Sequence, residues 1–249
     1  MAFPYKKILL IGATSGIGRA LGASLIQHGR FVIAVGRRQE NLDRFVQEHG
    51  TENAAGIQFD INKLNEIPQF VKSVTSSHPD LDCVFVNSGM QRRSVFTEPE
   101  SISIDEIQAE MTVNYISYVS LTKEFLPFFM AKENSLTSFI FTSSNLALVP
   151  ILRCSNYCAS KAALHQQITN RGFSVAELHD EKNQPDMAHM RGRAFGIPVD
   201  QFTTEAMKKL LAGDDQIPVG LSTIAFDSWE QQRQQAFHRV VEMMRKGES

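Results

Sequence analysis

Lys7-Ile8-Leu9-Leu10-Ile11 runs straight into Gly12-Ala13-Thr14-Ser15-Gly16-Ile17-Gly18, and the reading of this stretch decides the fold. A short aliphatic run with no polar alternation suits a strand buried on both faces of a sheet. The glycines let the chain turn sharply and approach a bound group, and a helical pattern follows from Gly16. Strand, Gly-rich turn and helix N-terminus in that order form a cradle for a dinucleotide pyrophosphate, because unpaired N–H groups at the helix start face its charge. Gly12, Thr14, Ser15, Gly16, Ile17 and Gly18 are therefore candidate cofactor contacts. A glycine cluster alone also fits an ordinary turn; the flanking strand and helix carry the dinucleotide reading.

Outward from that stretch the alternation continues. Apolar runs at 8–11, 31–35, 57–59, 83–86 and 139–141 read as strands, and 16–28, 39–49, 65–77, 103–129 and the chain from 155 read as helices. Ser103-x-x-Glu106 is a capping box that marks the fourth helix start. This pattern predicts an α/β fold, a doubly wound parallel sheet of the Rossmann type, in a single domain without internal repeats or linkers. The 249 residues suffice for a core that needs no disulfide or metal. Three cysteines, Cys83, Cys154 and Cys158, are an odd number without C-x-x-C spacing, which points to thiols in a reducing compartment. A net charge of −2, with basic residues doubled only at Arg37-Arg38 and Arg92-Arg93, argues against nucleic acid or an anionic membrane as partner. No apolar stretch reaches membrane-span length, and residues 1–7 leave no room for a signal-peptide core, so a soluble cytoplasmic protein is expected.

The end of the second strand selects the cofactor. An acidic residue there would hold a ribose 2′-hydroxyl and repel a 2′-phosphate. Here the chain reads Gly36-Arg37-Arg38, and guanidinium groups suit a phosphate, so NADP is expected, NADPH in preference to NADH. The same arginines also fit the exposed start of a helix; of the two, Arg37 is the favoured contact.

Tyr157-Cys158-Ala159-Ser160-Lys161 holds the candidate catalytic pair. Residues four apart share a helix face, so Tyr157 and Lys161 would be neighbours. A free tyrosine, with a pKa near ~10, is a poor base at neutral pH. A nearby ammonium favours the phenolate and brings it into a useful range.

With the Gly-rich loop, this pentapeptide makes the chain resemble the short-chain dehydrogenase/reductase family from about Lys7 to Leu164. Gly12, Gly16 and Gly18 match the family's TGxxxGIG signature, with Ile11 in place of the threonine. Asn87-Ser88-Gly89 resembles the Asn-Ala-Gly beside the cofactor, and Asp60 matches an aspartate that contacts the adenine. Val113-Asn114 resembles the position of the proton-relay asparagine. Ser144 lies 13 residues before Tyr157, the family's serine-to-tyrosine spacing. The resemblance implies a catalytic set of Ser144, Tyr157, Lys161 and Asn114. Ser144 would hold the substrate oxygen and Tyr157 would move its proton. Lys161 would assist the tyrosine and bind the nicotinamide ribose, and Asn114 would hold a relay water. His165, Cys154 and the apolar residues of the long fourth helix read better as packing than as chemistry. His179, His189 and Cys158 lack zinc-ligand spacing.

After Lys161 the chain departs from that family. A short helical stretch, 162–169, meets a break at Asn170-Arg171-Gly172, and Phe173-Ser174-Val175 reads as a vestigial strand. Glu177-Leu178-His179-Asp180-Glu181-Lys182 then resembles the substrate-lid segment of some fungal members, which there follows the sixth strand. The sixth-strand region is therefore expected to be shortened or missing, through divergence, splicing or an imperfect gene sequence. Cofactor binding and catalysis are expected within about 6–165, and a lid within about 177–215. Beyond it, 203–212 reads as a helix, 216–219 as the last strand and 228–246 as a charged helix. The expected activity is NADP-dependent hydride transfer to a small-molecule carbonyl, or from an alcohol, in a homodimer or homotetramer. The alternatives are a cofactor-binding relative of little or no activity, acting as a sensor or partner, and a truncated product.

Overall fold

Parallel strands need helical crossovers, and the chain supplies them in strict alternation. A computed structural model describes residues 3–132, 135–169, 174–175 and 197–247. Strand β1 (Lys7–Ile11) leads to α1 (Gly16–Gln27), β2 (Phe31–Gly36) to α2 (Gln39–His49), and β3 (Ala54–Gln58) to α3 (Ile67–Ser77). After β4 (Cys83–Val86) come α4 (Ile104–Met111), a π-helical turn (Thr112–Ile116) and α5 (Ser117–Met130) as one continuous rod. Then follow β5 (Ser138–Phe141) and α6 (Ser155–Thr169). The five strands form one parallel sheet in the order β3-β2-β1-β4-β5. Order reverses between β1 and β4, and such a sheet opens a ligand crevice beyond the strand ends at that point.

Period-two alternation divides the core into two layers. Ile8, Leu10, Val32, Ala34, Cys83 and Phe85 pack with Leu21 and Leu25 of α1 and Leu42 and Phe45 of α2. On the other face Leu9, Ile11, Ile33, Val35, Val84 and Val86 meet Phe70 and Val74 of α3 and Leu121 and Phe125 of α5. All these strand residues are at most 1% exposed, so each large side chain contributes about 1.5–3 kcal/mol.

Several boundaries move. The third strand is expected at 57–59 but occupies Ala54–Gln58, because backbone pairing with β2 extends it through the small Ala54, Ala55 and Gly56. A 3-10 turn, Leu64–Glu66, takes the start of the expected third helix. The Ser103 hydroxyl accepts the Glu106 N–H at 3.3 Å, while the Glu106 carboxylate turns to Arg92 instead.

The C-terminal region is built on shorter elements. Strand β6 (Ser174–Val175) lies beside β5 but pairs in parallel with β7 (Gln216–Ile217). Among the described residues the sixth strand comprises Ser174–Val175. Between these strands, α7 (Val199–Ala212) buries Phe202, Ala206, Met207 and Leu210 in the α1 layer. Although α7 falls inside the expected lid region, it covers the sheet. The expected charged helix begins as α8 (Leu221–Ala225), passes through a π-helical turn (Phe226–Glu230) and continues as α9 (Gln231–Gly247). The break at 170–172, the lid-like segment from Glu177, His179 and His189 lie outside the described residues.

One buried ionic cluster fastens this region to α6. Glu230, 0% exposed, accepts Arg233 at 2.6 and 2.7 Å and Gln234 at 2.8 Å, and stands 3.1 Å from His165 Nε2. Burial pushes the Glu230 carboxyl up, but the hydrogen bonds from Arg233, His165 and Gln234 outweigh it and hold the group down to about 2. His165 is therefore a docking residue, in line with its reading as packing.

Candidate active site

The Gly-rich loop closes over the β1 and β4 ends. Gly12 adopts a φ of +93°, and a Cβ there would meet the Ser88 backbone N at 2.8 Å. A Cβ on Gly18 would stand 2.0 Å from the Gly12 carbonyl oxygen, so no side chain fits. Helix α1 begins with no acidic residue in its first turn and no side-chain cap. Its N-terminal N–H groups and partial positive charge therefore stay available to an anion. The Arg38 guanidinium lies on the loop and donates to Thr14 Oγ1 at 3.1 Å and Ser15 Oγ at 2.8 Å. Arg37 contributes its main-chain carbonyl, which accepts from Gln58 at 2.8 Å. Asp60 accepts both the N–H and the side-chain amide of Asn62, holding the turn after β3. A bare helix start and a cation over two loop hydroxyls fit the phosphates of a dinucleotide.

Asn87, at the end of β4, accepts the Thr142 hydroxyl at 2.8 Å, joining β4 to the end of β5. The Thr142 carbonyl accepts from Lys161 Nζ at 3.0 Å, so the ammonium is anchored at the strand ends. Lys161 is 2% exposed, with its Nζ 5.9 Å from the Tyr157 ring centroid and 5.4 Å from that of Tyr118. The structure thus brings Tyr157 and Lys161 together on α6. A Cβ on Gly89 would be 4.0 Å from Lys161 Nζ and 3.8 Å from Asn114 Oδ1, so the turn after β4 lies against the same pair.

Asn114 sits in the π-helical turn, a distortion common at functional sites. Its amide accepts the Met90 N–H at 2.8 Å and donates to the Met90 carbonyl at 2.7 Å and Ser160 Oγ at 2.9 Å. Both its N–H donors are spent, leaving only acceptor capacity for a relay water. Ser144 is 3% exposed and its Oγ accepts the Leu146 N–H at 2.9 Å, which leaves the hydroxyl proton for an incoming oxygen. The turn at Asn145–Ala147 packs on α6, where Leu146 clusters with Cys154, Tyr157 and Cys158. Among the described residues, Ser143 Oγ is buried without a partner.

Tyr118, Ser160 and Thr142 belong to this network but escape the sequence reading. Tyr118 donates to the Ser88 carbonyl, and burial holds its phenol far above the ordinary range, so it stays a neutral donor. Its position four residues after Asn114 is the one sequence signal that could have flagged it. Thr142 acts partly through its carbonyl, which every residue possesses.

A profile described as short chain dehydrogenase matches residues 6–178, and the chain belongs to that family of oxidoreductases. The uncharacterized oxidoreductase YvrD of Bacillus subtilis is 31% identical over 160 residues, 64% of this chain and 59% of that protein. A Dehydrogenase/reductase SDR family protein 7-like of Anopheles gambiae is 34% identical, over 64% of this chain and 51% of its own. The chain thus spans only half to three fifths of those relatives. The NADPH-dependent 1-acyldihydroxyacetone phosphate reductase of Saccharomyces cerevisiae is 27% identical over 89% of this chain and 84% of that protein. Among solved structures, a short-chain dehydrogenase from Streptomyces avermitilis superposes with a TM-score of 0.76 at 19% identity, covering 97% and 98% of the two chains. An alcohol dehydrogenase from Thermococcus sibiricus, complexed with 5-hydroxy-NADP, gives 0.62 at 20% identity over 70% and 77%. Both show the fold. Among the described residues, no helix is long and apolar enough to cross a membrane.

Proposed function

We propose that this protein is an NADP(H)-dependent oxidoreductase acting on a carbonyl or secondary alcohol, with Ser144, Tyr157, Lys161 and Asn114 as its catalytic set. The observation that carries this reading is Lys161, buried and held by the Thr142 carbonyl beside the Tyr157 ring. Gly12, Gly16, Gly18 and the start of α1 would hold the pyrophosphate, Arg38 the 2′-phosphate, and Asn87, Ser88 and Gly89 the nicotinamide side. The NADPH dependence of the yeast relative and the NADP ligand of the archaeal structure support this cofactor. When bound, the dinucleotide supplies or accepts the hydride.

The chain itself orients oxygen and moves a proton. The Ser144 hydroxyl donates to the substrate oxygen and fixes its position. Tyr157 gives that oxygen its phenolic proton in reduction and takes it back in oxidation. The Lys161 ammonium stabilises the phenolate left behind. Asn114 keeps the Met90 turn against α6, so the floor of the site stays in register.

A second reading, a cofactor-binding relative with little turnover, is favoured by the departure from the family pattern after Lys161. Thermal unfolding with NADPH or NADH, followed by a carbonyl panel, separates the two. A ligand at a hundredfold excess over Kd adds about 2.7 kcal/mol to stability. An upward shift larger with NADPH, followed by turnover, supports the enzyme; the shift without turnover supports the second reading. No response to either nucleotide removes both.

A further inference from the structure

One buried carboxylate beside this site has no part in the chemistry above. Glu110 on α4 is 1% exposed. It accepts the Arg92 backbone N–H at 2.9 Å and the side-chain amide of Asn156. Its hydrogen-bond partners are thus neutral groups. Burial pushes its carboxyl up, while Asn156 and Arg92 pull it back. The nearby Arg92 charge also favours the carboxylate and Glu106 opposes it, yet burial prevails. A buried acid so placed costs stability, which asks for a reason to keep it.

The reason lies in what it joins. Asn114 links Met90, in the turn after β4, to Ser160 on α6. Glu110, four residues earlier on the same rod, links Arg92 on that turn to Asn156 on α6, four residues before Ser160. The two are parallel rungs between the same pair of segments, and Tyr157 stands between their feet. Ser94 extends the seam: its N–H donates to the Arg153 carbonyl at 2.8 Å, and its hydroxyl shares a hydrogen bond with Ser155 at 3.1 Å. Arg153 is held there at a φ of +70°, a strained conformation that persists only where its surroundings determine it.

We propose that Glu110 is a positioning residue, the second rung of a brace that sets Tyr157 against Ser144 and the bound nicotinamide. A carboxylate suits the task because it is acceptor-only and serves both donors without choosing an orientation. Glutamine keeps one acceptor and must turn an N–H2 toward a donor; leucine keeps none. This inference rests on the catalytic reading above.

The test compares wild type, Glu110→Gln, Glu110→Leu, Asn156→Ala and the Glu110→Leu/Asn156→Ala double variant. NADPH binding is followed by nucleotide fluorescence, and kcat and KM by reduction of 9,10-phenanthrenequinone. Misplacing a reacting group by about 1 Å costs on the order of a hundredfold. The expected result is a kcat loss of at least ~10-fold in Glu110→Leu, with NADPH affinity within about threefold of wild type. Glu110→Gln recovers part of the loss, Asn156→Ala shares it, and the double variant is no worse than Glu110→Leu. A Glu110→Leu enzyme with unchanged kcat, or with lowered melting temperature alone, overturns the brace. Additive losses in the double variant overturn it as well. Wild type that binds NADPH but turns over neither this quinone nor any member of the carbonyl panel overturns the enzyme reading beneath it, and this inference falls with it.

Discussion

The β1–β5 sheet and the β6–β7 pair obey the same rules of parallel pairing but reach their stability differently. The first has five strands of four to six residues, covered on both faces by helices, and its polar groups converge on one crevice. The second, among the described residues, has two strands of two residues, too short to build a face of its own. It leans on α7, whose apolar side joins the layer under α1, and on the Glu230 cluster that ties the C-terminal helices to α6. Long strands buy stability through area; short ones need a specific polar lock, and that lock sits one helical turn beyond Lys161.

The largest effect lies wholly in the first region. Replacing Tyr157 with Phe removes the proposed proton donor while leaving the packed ring, so turnover should fall by about 10²–10⁴-fold with NADPH binding retained. Unchanged turnover would sink the mechanism. Next comes the lock. Glu230→Leu leaves Arg233 and His165 without their anion, and breaking a buried pair costs about 3–5 kcal/mol. If the two regions are coupled through α6, the variant loses catalysis along with stability, read as melting temperature and kcat in one series. Loss of stability alone would show the second region to be a mechanical annex.

A smaller effect tests the cofactor cradle. Arg38→Ala should weaken NADPH binding by about tenfold to a hundredfold, from the ~1.5–3 kcal/mol of a hydrogen bond to a charged group, and leave NADH binding nearly unchanged. Equal weakening of both nucleotides would mean that Arg38 only staples Thr14 and Ser15. The mildest probe is pH. The folded Glu230 carboxyl, at about 2, lies below its ordinary value of 4.5. Its contribution is therefore fully present above pH 4.5 and is lost as pH falls through about 2. Glu110, raised by burial, acts with the opposite sign, so the comparison is wild type against Glu230→Gln. The gap between their melting temperatures should close as the pH drops through that window; a constant gap would refute the assignment.

The first region was largely legible in the sequence because its information is local. Strand β4 and helix α2 fall where the pattern puts them, since alternating apolar runs and helical periodicity report burial directly. The pair Tyr157 and Lys161 needed only the pitch of a helix. Arg38 shows the limit: either arginine after Gly36 suits a phosphate, and only the folded loop puts Arg38 on Thr14 and Ser15. Tyr118 and Glu110 were missed because an aromatic or an acid on a helix usually means packing or solvent.

The amino-acid sequence by itself determined the strand–helix alternation, the Gly-rich turn, the family resemblance and the candidate catalytic residues, all properties of spacing along one chain. Tertiary structure alone decided that Asn114 and Glu110 would bridge one turn to α6, that the Thr142 carbonyl would hold Lys161, and that Glu230 would close over His165. Those contacts join residues 18 to 65 positions apart. Their partners include backbone groups that every residue carries, so the identity of a side chain says nothing about them until the chain has folded.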